Sequence, residues 1–136
     1  MRFENKIAIV VRADLAVWQQ LNVTAFLASG IAAAFGDTIG KPYEDGSGHR
    51  YLELFRQPVL VYAGDTAGLG VVRERAVSRE MATAIYTEDM FGTGHDEANR
   101  AVVRDVPGPE LRLAGIAVYG SRNAVDMVCR GLSLHP

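Results

Sequence analysis

Residues 6–11 read KIAIVV. After the lysine come five apolar residues, four of them β-branched. Side chains of a strand alternate between two faces, so a run apolar at every position needs cover on both. That places 6–11 inside a sheet with a layer above and a layer below. The neighbouring segments supply the layers. RADLAVWQQ follows as a polar-apolar connection, and LNVTAFLASGIAAAF, residues 21–35, reads as a helix. Val23, Leu27, Ile31 and Phe35 recur at four-residue steps, and Phe26 and Ala34 lie beside that line. The other positions are mostly Ala, Ser and Gly, so the helix can approach a sheet or a second helix closely. Gly36 stands where a helix C-cap glycine belongs.

Farther along, QPVLVYAG at 57–64 is a second strand, opened by Pro58 at a tolerated position. Asp65 or Thr66 caps the following helix, whose apolar side includes Leu69, Val72, Ala76 and Met81. ATAIYT at 82–87 is a third strand, 95–103 a short helix, LRLAGIAVYG at 111–120 a fourth strand and 121–130 a last helix. GDTIGKPYEDGSGHRY at 36–51 is a loop by composition. The order predicts one α/β domain spanning 1–136: a three-layer sandwich with a central mixed sheet of about four strands and helices on both faces. Its first three strands should be mainly parallel.

Composition narrows the function classes. The chain has 136 residues, 49% of them hydrophobic and 22% charged, which suits a single globular core. Formal net charge is −2. Two lysines accompany twelve arginines, with no basic run, so a nucleic-acid partner is not expected. The stretch 21–35 is too short and too interrupted by Asn22, Thr24 and Ser29 to span a bilayer. Cys129 is the single cysteine and reads as a buried structural thiol. With no secretory signal pattern in MRFENKIAIVV, the expected compartment is the cytoplasm.

Two segments resemble a known family. KIAIVVRADL at 6–15 with its small-residue helix, and LRLAGIAVYGSRNAVDMVCRGLSL at 111–134, are similar to the opening and closing of type-2 peptidyl-tRNA hydrolases. WQQLNVTAFLASGI, PYEDGSGHRYLELFRQPVLV and IYTEDMFGTGHDEANRAVV resemble still more closely an uncharacterised bacterial family of short proteins with the same fold. The resemblance implies the fold and no reaction. The hydrolases carry a lysine before the first helix, where this chain has WQQLNVT. They also use an aspartate and a threonine after the third strand, and Asp89 and Thr93 match that spacing.

The polar residues that draw attention are in FGTGHDEAN, 91–99. On a helix His95 and Asn99 share a face, as do Asp96 and Arg100. Helix construction explains the pattern: Thr93 or the Gly94 backbone caps, and Asp96 and Glu97 complement the dipole. A binding role is the alternative, since a helix N-terminus also binds anions, with His95 as the titrating group and Phe91 as an apolar wall. In YEDGSGHRY, 43–51, Glu44 and Asp45 are turn residues or part of a lid over a site. Asn22 either caps the first helix or points to a ligand. GDTAGLG at 64–70 matches no phosphate-loop pattern. The histidines at 49, 95 and 135 lack metal-ligand spacing, so neither metal nor cofactor is expected.

Ligands of α/β sheets sit beyond the carboxyl ends of parallel strands. The expectation is one pocket there, holding Asn22, Glu44 and Asn99 as ligand-binding groups and His95, Asp89 and Thr93 as catalytic ones. It takes a small polar ligand, and hydrolysis is the reaction if there is one, with His95 or Asp89 as base. The alternatives are a peptidyl-tRNA hydrolase using Arg12 or Arg50 as its cation, and a homodimeric interaction module built on the smooth helix face.

Overall fold

In a computed structural model, which describes residues 2–136, a five-stranded mixed sheet carries helices on both faces. Strand β1 (Asn5–Arg12) is flanked by β4 (Val59–Gly64) on one side and β6 (Leu113–Ser121) on the other. β5 (Ala82–Thr87) forms one edge and the two-residue β7 (Ser133–Leu134) the other. β1 and β4 pair in parallel. β6 is antiparallel to both β1 and β5, so β1, β4 and β5 all point the same way. The shared direction of these three strands agrees with the sequence, although β6 separates β5 from the parallel pair.

Two clusters of buried side chains confirm that β1 is covered twice. Ile7, Ile9 and Val11 pack with Val23, Leu27 and Ile31 of α1 (Val17–Ala34). Ala8 and Val10 pack on the other face with Leu69, Val72 and Ala76 of α2 (Thr66–Ser78) and with Val125 and Val128 of α4 (Arg122–Val128). Each of the valine, leucine and isoleucine side chains, fully buried, is worth roughly 1.5–3 kcal/mol. Gly115 in β6 sets the closeness of α1: a Cβ there would lie 2.5 Å from Val23 Cγ1 and 2.9 Å from Leu27 Cδ1. A Cβ on Gly30 would meet that of Ala84 at 3.2 Å, so the small residues of α1 serve its approach to the sheet.

Several boundaries differ from the sequence reading. α1 begins four residues earlier, at Val17, because the Gln19 side chain accepts the Ala16 N–H at 3.0 Å and closes the helix start. Asn22 is therefore not a cap and sits in the second turn. Gly36 is no left-handed C-cap either. Phe35 ends the helix, and Gly36 opens a short 3-10 turn, Gly36–Thr38. The 36–51 loop contains a hairpin, β2 (Tyr43–Glu44) with β3 (Arg50–Tyr51), all four residues exposed. Asp45 holds its turn, accepting from Ser47 N, His49 N and the Tyr51 hydroxyl. β7 was too short to leave a period in the sequence. Asp65 does cap α2, accepting the Gly68 N–H at 2.7 Å.

Candidate functional site

The carboxyl ends of β1 and β5 lie at one rim, where a one-residue bulge at Ala114 loosens the β5–β6 ladder: Tyr86 pairs with Gly115 but Thr87 with Leu113. Arg12, 6% exposed, fills this corner. Its Nε and Nη2 donate to Asp14 Oδ1 and Oδ2 at 2.9 and 3.0 Å, and its Nη1 donates to Glu88. Arg112 donates from Nε to the other Glu88 oxygen at 2.9 Å. Arg112 and Arg12 hold the Glu88 carboxyl below its usual range, and Arg12 does the same to Asp14. The hydrogen bond to Asp14 raises the Arg12 guanidinium further above its ordinary value despite burial. Gln20 pins the intervening loop by donating to the Arg12, Ala13 and Leu15 carbonyls. Two walls are thereby fixed relative to each other, the start of α1 and the 3-10 turn Glu88–Gly92.

Between these walls runs a ladder of aromatic rings. Trp18 meets Phe91 edge-on at 6.3 Å between centroids, Phe91 lies 5.1 Å from Tyr86, and Tyr86 meets Phe26 edge-on at 5.5 Å. Tyr86 is buried, and that burial raises its phenol pKa. Trp18 and Phe26 are 64% and 51% exposed, so large parts of both rings remain open to water. They stand eight residues apart on α1, about 12 Å along the axis. Asn22 is midway between them on the same helical flank, at four residues from each.

The polar segment beyond the ladder folds into the turn and α3 (Asp96–Arg104). His95 is the N-cap, its Nδ1 accepting the Ala98 N–H at 3.2 Å. The cap expected from Thr93 or Gly94 is thus supplied by the imidazole. With Nδ1 as acceptor, the neutral ring carries its proton on Nε2 and presents an N–H outward. His95 is exposed. The Thr93 hydroxyl lies within hydrogen-bond reach of the Met90 carbonyl, at 2.9 Å, and of the Asn99 amide. One hydroxyl proton cannot serve two oxygens. Turning the Asn99 amide over makes the set consistent, because Nδ2 then donates to Thr93 and Oδ1 is free to accept.

Of the residues expected in one pocket, Thr93 and Asn99 meet and His95 caps the helix that carries Asn99, while Asp89 stands in the preceding turn and Asn22 on the flank of α1 whose Trp18 and Phe26 touch Phe91 and Tyr86. Glu44 is not brought there. α1 returns to the amino ends of the strands, and the loop carrying Glu44 joins its far end to the start of β4. Glu44 therefore belongs to the opposite rim, exposed beside Arg50. Arg12 is bound by two carboxylates and is no free cation. Cys129 is buried as expected, and burial pushes its thiol up to about 11. Among the described residues no helix is long and apolar enough to cross a membrane.

The sequence reading missed the ring ladder and the four-residue ion network. The 18–22–26 spacing was available, and a helix begun at Val17 would have put all three on one flank. Nothing local could have paired Glu88 with Arg12 and Arg112.

A search of curated proteins returned no match. Among solved structures, a protein of unknown function, Atu0240, from Agrobacterium tumefaciens strain C58 superposes with a TM-score of 0.97 at 45% identity, covering 99% of this chain and all of that one. The model of DUF2000, a family described as proteins of unknown function, matches residues 5–136, and the chain belongs to that family.

Proposed function

We propose that this protein binds a small ring-bearing ligand with polar substituents on the surface where the first turns of α1 meet segment 86–99. The observation that carries the reading is the aromatic ladder, with Trp18 and Phe26 left largely open on either side of Asn22. Exposed aromatic rings bordered by a few polar groups are the usual chemistry of small-molecule recognition. Asn22 and Asn99 supply amide donors and acceptors, and His95 supplies an N–H. Trp18 is the only tryptophan, so intrinsic fluorescence reports on this surface directly. A panel of heteroaromatic metabolites should contain compounds that change Trp18 emission and raise the melting temperature. Asn22→Ala and Asn99→Ala should weaken them. Binding that leaves Trp18 silent and survives both substitutions would remove the site.

A type-2 peptidyl-tRNA hydrolase-like fold and a hydrolytic activity belong to the same proposal, supported by the RADL motif and the Asp89–Thr93 spacing. In such a reaction Asp89 would be the base, since the His95 tautomer offers a donor. Incubation with labelled peptidyl-tRNA tests this, and no cleavage above buffer eliminates it. A homodimeric interaction module is the second reading, favoured by exposed Val17 and Leu21 on α1. A monomeric mass by light scattering at high concentration counts against it.

A further inference from the structure

Strands β1 and β4 run in parallel, and the chain leaves them toward opposite faces. β1 is followed by α1 on one face of the sheet and β4 by α2 on the other. The crevice at the carboxyl ends of such a pair is a topological switch point, where open α/β sheets bind ligands. α1 packs on β6, β1 and β5. Between α1 and β4 a groove of about 310 Å³ remains, on the flank of the helix away from the aromatic rings. Val11 and Val61 line it from the two strands, and Val17, Gln20, Leu21 and Thr24 from α1. His135 bridges it. Its backbone N–H donates to the Val61 carbonyl at 2.8 Å, and its ring Nε2 lies 2.8 Å from Gln20 Oε1. Gln20 Nε2 already donates to three carbonyls, so Oε1 is the acceptor and the imidazole the donor.

The lining selects a chemistry. Four of its seven side chains are aliphatic, and two of these, Val17 and Leu21, are 72% and 67% exposed. Among the described residues that line it there is no lysine, arginine, aspartate or glutamate. An ion placed there would lose hydration without gaining a counter-charge. The polar atoms that remain free are acceptors. Thr24 Oγ1 spends its proton on the Gln20 carbonyl at 2.7 Å and keeps its lone pairs, and Gln20 Oε1 keeps one.

We infer that this groove is a binding site for a small uncharged molecule with an aliphatic or alicyclic body and one hydroxyl. The body covers Val11, Val61 and Leu21, and the hydroxyl donates to Thr24 Oγ1 or Gln20 Oε1. The site is independent of the ring-binding surface on the other flank of α1.

The test varies charge on one ring: cyclohexanol, cyclohexanecarboxylate and cyclohexylammonium, titrated into protein with labelled valine and leucine methyls. Cyclohexanol should move the Val11, Val61 and Leu21 methyl resonances, leave Trp18 emission unchanged and bind about fivefold or more tighter than either ion. Thr24→Val keeps the shape and removes the acceptor, and should weaken cyclohexanol about threefold or more at an unchanged melting temperature. Unmoved methyls up to the solubility limit of cyclohexanol overturn the site. An ion that binds as tightly as the alcohol, or a Thr24→Val protein with undiminished affinity, overturns the chemistry assigned to it. Concentration-dependent shifts of the same methyls without any ligand, with a dimeric mass by light scattering, would give the groove to a second copy of the chain and overturn the assignment as well.

Discussion

Gly115→Ala is the substitution that most directly probes the seating of α1. The new Cβ would stand 2.5 Å from Val23 Cγ1, 2.9 Å from Leu27 Cδ1 and 3.3 Å from the Val10 carbonyl oxygen. Val23 and Leu27 are 0% and 2% exposed, so neither can swing into solvent. The helix must lift or the strand must bend. Overpacking of this kind costs about 1–3 kcal/mol, and two contacts below van der Waals distance place it in the upper half. Losing a strand glycine returns roughly 0.5–1 kcal/mol through the unfolded chain. A net loss of about 2 kcal/mol follows, or about 7 °C in melting temperature for a domain of this size. Differential scanning calorimetry measures it, and Gly70→Ala is the control. Gly70 lies inside α2 with nothing within 4 Å of its would-be Cβ, so alanine should stabilise by about 1 kcal/mol. A lifted α1 should also separate Trp18 from Phe91 and shift the emission maximum. A Gly115→Ala protein melting at or above the wild-type temperature would show that α1 is not held against β6 as described.

Thr87 offers the opposite case: its Oγ1 is buried and has no hydrogen-bond partner among the described residues, so Thr87→Val should leave the melting temperature unchanged or raise it by up to about 1 kcal/mol equivalent. A loss above that range in a denaturant titration would mean that the hydroxyl is bonded after all. His95→Ala should cost about 1 kcal/mol as a lost N-cap and speed hydrogen exchange of the Ala98 amide, whereas His95→Asp, which keeps an acceptor, should restore protection. Equal exchange in all three proteins would dismiss the cap. The Glu88 carboxyl titrates below its unfolded value, so its contribution is present above about pH 4.5 and is lost as pH falls through the lowered folded pKa. Glu88→Gln should therefore flatten the acid limb of the stability curve below about pH 4.5, read by thermal melts across pH, and an unchanged limb would separate Glu88 from that titration.

The layered α/β plan was legible because it is written in local periods. An unbroken apolar strand at 7–11 requires two covering layers, and the four-residue recurrence of Val23, Leu27 and Ile31 supplies one of them. Asp65 at the start of α2 was equally local, since a cap acts within three residues. The segment 89–99 could be picked out as unusually polar, but its chemistry depends on which atom meets which. Only the folded chain assigns the His95 Nδ1 to a backbone amide and the Thr93 hydroxyl to Asn99.

What tertiary structure alone decided is the convergence of distant residues. Glu44 and Asn22 looked equally eligible, yet the return of α1 sends the loop bearing Glu44 to the far rim, while Phe91 and Tyr86 close on Trp18 and Phe26 to either side of Asn22. Arg12 reaches Glu88, seventy-six residues away, across a bulge that no period encodes. Periodicity reports which face of an element is apolar because that is a property of neighbours in the chain. A binding site is a property of neighbours in space, and these are set by strand order and by how closely helices pack.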